Sequence, residues 1–151
     1  MEKENSNLLQ KAIINKNLFD FALGNGEYYL TDREYGTHWT LGIWLYHIIP
    51  CLEKNEGINE INDMFEQLIN TTTPKSIATN DSLLMHTYTY VSLLQSGRIK
   101  NKVIKDATII EAIEKLSTYF EFLKTADSHK YEEDIYIFNL LKNRFHEIKP
   151  Q

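Results

Sequence analysis

Cys51 is the single cysteine in 151 residues. That scarcity excludes an intramolecular disulfide and any multi-cysteine zinc site, and among apolar neighbours Cys51 is expected to be a small buried hydrophobe. Arginine is scarce too, three residues against thirteen lysines, in a chain of formal net charge −5. Nucleic-acid affinity rests on clustered Lys and Arg that release counterions, so no nucleic-acid partner is expected. The one basic cluster, GRIKNKVIK, with Arg98, Lys100, Lys102 and Lys105, reads as a solvated loop between two helices. No apolar run approaches the roughly 20 residues that cross a bilayer; the longest, LGIWLYHIIPCL, is interrupted by His47 and Pro50. The start, MEKENSNLLQKAIINKNLFDF, mixes acids with lysines and has no unbroken apolar stretch, unlike a secretion signal. We expect a cytoplasmic protein with no membrane association. The sequence also lacks G-x-G-x-x-G, a P-loop, H-E-x-x-H, an E-x-x-H di-iron pair and a nucleophile elbow, and a lone Ser or Cys is no nucleophile without a placed base. The reading therefore leans away from an enzyme, and assigns no catalytic residue, cofactor or metal.

What is present describes a folded chain. Apolar residues make up 42%, aromatic residues 12% and charged residues 25%, which is a globular composition. A chain of this length fits one domain, residues 1–151, burying roughly two thirds of its unfolded surface. Thirteen Lys, thirteen Asn and seventeen Ile are what AT-rich codons encode and point to a bacterial source. Apolar residues recur at three and four almost throughout, so the expected fold is all-α, a bundle of about five to six amphipathic helices with a kinked or broken second helix. The first runs from Ser6, with Leu8, Ala12, Phe19 and Leu23 near one line and GNG at 24–26 as its stop. EYYL, residues 27–30, reads as extended. The second lies between Thr31 and about Asn55, and the third between about Ile58 and Ile69. The fourth follows TND at 79–81, ends at SG after Gln95, and is apolar nearly all round, which predicts a central position. Asp106 is a plausible N-cap for the fifth, whose Ile109, Ile113, Leu116, Phe120 and Leu123 form one stripe. After TADSH a sixth carries Ile135, Phe138, Leu141, Phe145 and Ile148, with Glu132, Glu133 and Asp134 in its first turn facing the helix dipole.

The segment TDREYGTHWTLGIWLYHIIPC, residues 31–51, concentrates polar and aromatic groups. Thr31 and Glu34 match a capping box, in which a Thr hydroxyl and a Glu three residues on satisfy free amides. Gly36 and Gly42 weaken the helix, and Pro50 removes an amide and clashes with the carbonyl of Tyr46, predicting a kink near residues 46–50. Leu41, Trp44, Leu45, Ile48 and Leu52 fall on one third of the helical circle and are expected core. His38 and His47, nine residues apart, point roughly 180° apart and cannot share a metal from one helix. Glu34 and His38 could share a face, but a site would need His86, His129 or His146 from elsewhere. In MHTYTY, residues 85–90, His86 and Tyr90 share a face with Thr87 and Thr89 nearby; such groups could contact a ligand, but they are expected to satisfy one another and the backbone.

Two family resemblances attach to this stretch. WTLGIWLYH, Trp39 to His47, resembles the W-S-x-G-x-x-x-x-H segment of DinB-like four-helix bundles, in which the His is one of three metal ligands. It covers nine residues and implies a metal-dependent helical-bundle enzyme using His47 with His86 or His129. At the family's later H-x-x-x-H spacing this chain has His86 with Tyr90 and His129 with Glu133. Arg33 and His38 resemble the R-x4-6-H motif of HEPN ribonucleases, which implies an RNA-cleaving pocket lined by those two residues; here Glu34 directly follows the Arg.

One surface signal remains. Residues 1–75 carry eleven acids against six Lys or Arg, whereas residues 76–151 carry ten of each. Glu53, Glu56, Glu60, Asp63 and Glu66 put five acids into fourteen residues with Lys54 alone to offset them. On the third helix Glu60, Asp63 and Glu66 fall opposite a face of Ile58, Ile61, Phe65 and Leu68. A negative surface accelerates association with a basic partner and orients it. Tyr28, Tyr29 and Tyr35, beside acids in GNGEYYLTDREY, have the composition of an interface anchor. These eight residues are the candidate partner-binding set. Small, acidic, cytoplasmic helical proteins of this size resemble bacterial immunity proteins, which bind and block a cognate toxin. The expected function is thus a non-catalytic module that occupies a basic protein partner, with the DinB-like enzyme and the HEPN-like RNase as alternatives.

Overall fold

A computed structural model describes residues 40–148, and these are helical throughout apart from their connecting turns. Helical backbone at residues 40–43 leads into a π-helical turn, Trp44–Ile48, and then α1, Ile49–Glu53. α2 is Ile58–Thr71, α3 Ile77–Ser96, α4 Asp106–Ala126 and α5 Ser128–Ile148. The helix expected from Ser6, the GNG stop, the EYYL segment and the capping box at Thr31 lie outside the described residues.

The expected kink is a π turn. The Ile49 amide donates to the Trp44 carbonyl, five residues back, and Pro50 falls in the opening turn of α1. With a helical turn before it, Pro50 has no N–H to donate and its ring crowds the preceding carbonyls, and widening the helix by one residue relieves that crowding. Asn55 (φ 59°) and Gly57 (φ 73°) then take left-handed backbone in the turn to α2, a conformation that glycine and asparagine adopt at least cost.

α3 is central, as its all-round apolar sequence predicts. Leu83, Leu84, Tyr88, Val91 and Leu93 are fully buried, and α3 packs most extensively against α5, then α4 and α2. Its start differs from the expected TND cap. Ser76 is the N-cap, its Oγ accepting from the Thr79 amide and hydroxyl. Thr79 and Asn80 are already helical, and the buried Asn80 Nδ2 donates to the Thr73 and Ser76 carbonyls at 2.8 Å each. Ser76, shortly after the TTT run, supplies the cap because its hydroxyl can reach the N3 amide. Gly97 (φ 88°) ends α3 as expected.

Asp106 is the first helical residue of α4, not its cap; Lys105 is the extended residue before it and makes no side-chain cap bond. Asp106 instead pairs with Lys102 at 3.1 Å. The expected stripe of α4 is buried at Ile109, Leu116, Phe120 and Leu123, with Ile113 packed against the core. Phe120 stacks on Phe138 of α5, ring centroids 4.8 Å apart and planes 18° apart. The α4–α5 break is a single residue, Asp127, whose Oδ1 accepts from the Lys130 amide at 3.1 Å. α5 therefore opens at Ser128, earlier than expected, and Glu132, Glu133 and Asp134 stand in its second turn. There the dipole argument does not hold for Asp134, which is completely buried and paired with Lys130 at 2.9 Å. Lys130 also bridges to Asp81 of α3 at 3.2 Å.

The α2 end is tied to α4 by Lys115, whose Nζ donates to the carbonyls of Ile69 at 2.8 Å and Thr72 at 3.3 Å. A cation at a helix C-terminus satisfies carbonyls that have no amide partner. No helix among the described residues is long and apolar enough to cross a membrane.

Candidate functional site

α2 is amphipathic because its apolar residues repeat at three and four. Ile61, Phe65 and Ile69 are buried, and Ile58 and Leu68 are half-buried. Its opposite side carries Glu60, Asp63 and Glu66, all exposed. Glu53 at the end of α1 and Glu56 in the turn to α2 are exposed as well. None of the five makes an ion pair among the described residues, and Lys54 is the only cation between residues 40 and 74. Of the eight candidate partner-binding residues five are thus exposed on α1, the turn after it and α2, in separate surroundings: Glu60 lines one groove, Asp63 and Glu66 line a hollow with Lys105, and Glu53 lines another with Arg98 and Lys100. Tyr28, Tyr29 and Tyr35 lie outside the described residues.

Beside Glu60 runs an apolar groove of about 410 Å³ between the π turn with α1 and α2. Ile43, Ile48 and Leu52 line one wall, and Ile61 and Met64 line the other, with His47, Cys51 and Glu60 among them. Of the expected core, Leu41 and Trp44 are buried, whereas Leu45, Ile48 and Leu52 are half-buried and pack against its edge, and Ile49 takes the inward position. The π turn is the physical reason, since one extra residue per turn rotates every later position of the helix. Cys51, expected buried, is exposed for the same reason. Tyr46, on the π turn beside His47, is 75% exposed.

The histidines diverge. His47 is exposed in the groove, and His129 and His146 are exposed near opposite ends of α5, about 26 Å apart at 1.5 Å per residue. His86 stands half-buried on α3 and accepts a hydrogen bond at Nδ1 from the Trp44 indole at 3.1 Å. Among the described residues no group of three or more His, Cys, Asp or Glu side chains could hold a metal ion. Arg33 and His38, the pair behind the RNase resemblance, lie outside the described residues.

The Trp44–His86 bond ties the π turn to α3. It requires neutral imidazole with its proton on Nε2, and burial holds the His86 pKa below 6.5. A histidine whose folded pKa is depressed binds fewer protons when folded, so its neutral form supports stability above the unfolded pKa, and that support drains away as pH falls through 6.5 toward the folded value. The urea midpoint should therefore hold steady above about pH 7 and decline toward about pH 5. His86→Asn, which can keep an acceptor near Nδ1 and does not titrate, should reduce that decline; an identical pH profile in the variant would assign it to other groups.

Tyr90 accepts from the amides of Val103 at 3.2 Å and Ile104 at 3.3 Å. This pins the basic loop against α3, leaving Arg98, Lys100, Lys102 and Lys105 exposed on it as expected. Burial is the chief cause raising the Tyr90 pKa, partly offset by these two hydrogen bonds. In MHTYTY, Tyr90 is thus satisfied by backbone amides, as expected, whereas His86 is satisfied by the Trp44 indole rather than by a neighbour in the segment. The buried Thr87 and Thr89 hydroxyls, expected to be satisfied too, take no hydrogen bond among the described residues. No protein-family model matches this chain, and no curated protein or solved structure shows a significant match to it.

Proposed function

We propose that this chain is a non-catalytic, acidic protein-binding module that occupies a basic partner, as a bacterial immunity protein occupies its toxin, and that it acts in the cytoplasm. The observation that carries the reading is the set of five exposed acids, Glu53, Glu56, Glu60, Asp63 and Glu66, without ion-pair partners among the described residues. Glu60, Asp63 and Glu66 share the polar side of α2, where like charges repel, and cations of a partner would relieve that repulsion on binding. The apolar groove beside Glu60 supplies the burial that a charged surface alone lacks.

The test begins with a partner captured by the purified chain and continues with kinetics. Reversal of Glu60 and Asp63 to Lys is expected to slow association with that partner about tenfold and flatten its salt dependence, because rim charges act mainly on the encounter rate. The captured partner's own activity is expected to fall to zero at one equivalent of the chain. Unchanged association kinetics would remove the acids from the interface, and an uninhibited partner would remove the inhibitor reading.

A further inference from the structure

We infer that the groove between the π turn with α1 and α2 receives the apolar face of a basic amphipathic helix belonging to the partner. This rests on the acidic-module reading above and specifies the partner's binding element. The lining fixes the class of side chain. Ile43, Ile48, Leu52, Ile61 and Met64 present aliphatic and thioether groups, and Met adapts to differently shaped apolar guests. An apolar cavity of roughly 150 Å³ accepts benzene, so about 410 Å³ has room for two or more aliphatic side chains. Among the described residues no Lys or Arg lines the groove and Glu60 stands in its wall; Glu56 is exposed close by in the chain, while Glu53 lines a neighbouring hollow with Arg98 and Lys100. An apolar guest flanked by Lys or Arg is the complement of that arrangement, and a guest flanked by acids is rejected by it.

The walls also decide the guest's backbone. Both are helical, and a helix interior spends its amides and carbonyls on itself. An extended peptide gains its affinity from main-chain bonds to a free strand edge, and these walls offer none. A guest entering an apolar groove must then satisfy its own backbone, which a helix does, presenting anchors at i, i+3, i+4 and i+7.

Cys51 is a built-in reporter, because it lines the groove, is exposed, and is the chain's sole thiol. The full chain would be titrated with a labelled Leu/Lys amphipathic peptide about five helical turns long, with its isomer of identical composition lacking an apolar face, and with the Leu/Glu counterpart. Fluorescence anisotropy reads binding, and the rate of Cys51 reaction with a disulfide reagent reads groove occupancy. We expect the Leu/Lys peptide to bind at least about tenfold more tightly than either control and, at saturation, to slow the thiol reaction about tenfold or more. Cys51→Arg should weaken binding about tenfold by placing a cation in the groove. It should leave the melting temperature unchanged, since the position is exposed.

Equal binding of the isomer, no binding at all, or an unchanged thiol rate at saturation overturns the groove. So does a thiol that reacts about a hundredfold slower than a small free thiol in the unliganded chain, since another part of the same chain would then fill the site. If binding survives in 0.5 M salt and after Glu60→Lys with Asp63→Lys while still protecting Cys51, the groove stands and the acidic reading falls. If those changes abolish binding but Cys51 is never protected, the acidic reading stands and the groove falls.

Discussion

Trp44→Ala is expected to lower the unfolding free energy by about 4 kcal/mol, in the range for emptying a large aromatic position in a core. Trp44 has no solvent exposure. Its ring lies 6.2 Å from Phe65 of α2 and 5.8 Å from Tyr90 of α3, centroid to centroid. Its indole N–H donates to His86. Truncation removes these contacts at once and strands the His86 acceptor in a half-buried site. For a chain of this size the melting temperature should fall by about 12 °C. Trp44→Phe separates the causes. It keeps most of the apolar volume and loses the donor, so it should cost about 1 to 2 kcal/mol. Equal losses in the two variants would show that the hydrogen bond rather than the ring secures the π turn; a loss below 1 kcal/mol for Trp44→Ala would detach that turn from the core altogether. The same experiment bears on function, because a loosened π turn dissolves the wall formed by Ile43 and Ile48. Peptide protection of Cys51 should vanish in Trp44→Ala even at temperatures where α3 to α5 remain folded.

Lys130→Met is expected to cost about 3 kcal/mol, the low end of what breaking a buried ion pair costs when one charge is left behind. Asp134 has no exposure at all and accepts from Lys130 at 2.9 Å, while Lys130 reaches Asp81 on α3 at 3.2 Å. The lysine side chain is itself only 18% exposed. One ammonium group thus joins a helix to its neighbour and compensates a carboxylate that cannot reach water. Thermal and urea unfolding at about pH 7 would measure the loss. A loss under 1 kcal/mol would mean that Asp134 is compensated mainly through its other interactions. Asp134→Asn should be milder than Lys130→Met, because a neutral amide can be buried with a hydrogen bond whereas an uncompensated carboxylate cannot. An opposite ranking would contradict the electrostatic account.

The residues that sequence reasoning placed correctly share one property, that neighbours in the chain decide their environment. The stripe on α4, the acidic back of α2 and the stop at Gly97 come from helical periodicity or from a local backbone demand. The kink was legible for the same reason, since the clash of Pro50 with the turn before it is a contact within five residues. Its form was not. Whether a helix meets a proline by bending or by widening depends on what the surrounding turn packs against, here Trp44 held by Phe65, Tyr90 and His86. The widened turn set the phase of everything to Glu53, which is why Cys51, Ile48 and Leu52 were expected inside and stand at the groove.

The misplaced caps have a related cause. Ser76, Asp106 and Asp127 all lie within reach of a helix start, and sequence alone does not choose among several short polar side chains a few residues apart. Asp134 escaped notice because one aspartate among three consecutive acids carries no sign of which faces inward. Its partner Lys130 stands one turn earlier on the same helix, and only the packing of α3 against α5 turns that pair inward, where Lys130 also meets Asp81.

The sequence by itself therefore determined the helical class, the central position of α3 and the charge on the outer side of α2, because each is a property of periodicity and composition along one segment. Tertiary structure decided where the apolar surface near the π turn is left uncovered, which histidine is buried against an indole, and which carboxylate is held by a lysine. Those outcomes depend on the relative phase and spacing of helices distant in sequence, and a shift of one residue in a single turn is enough to exchange inside for outside.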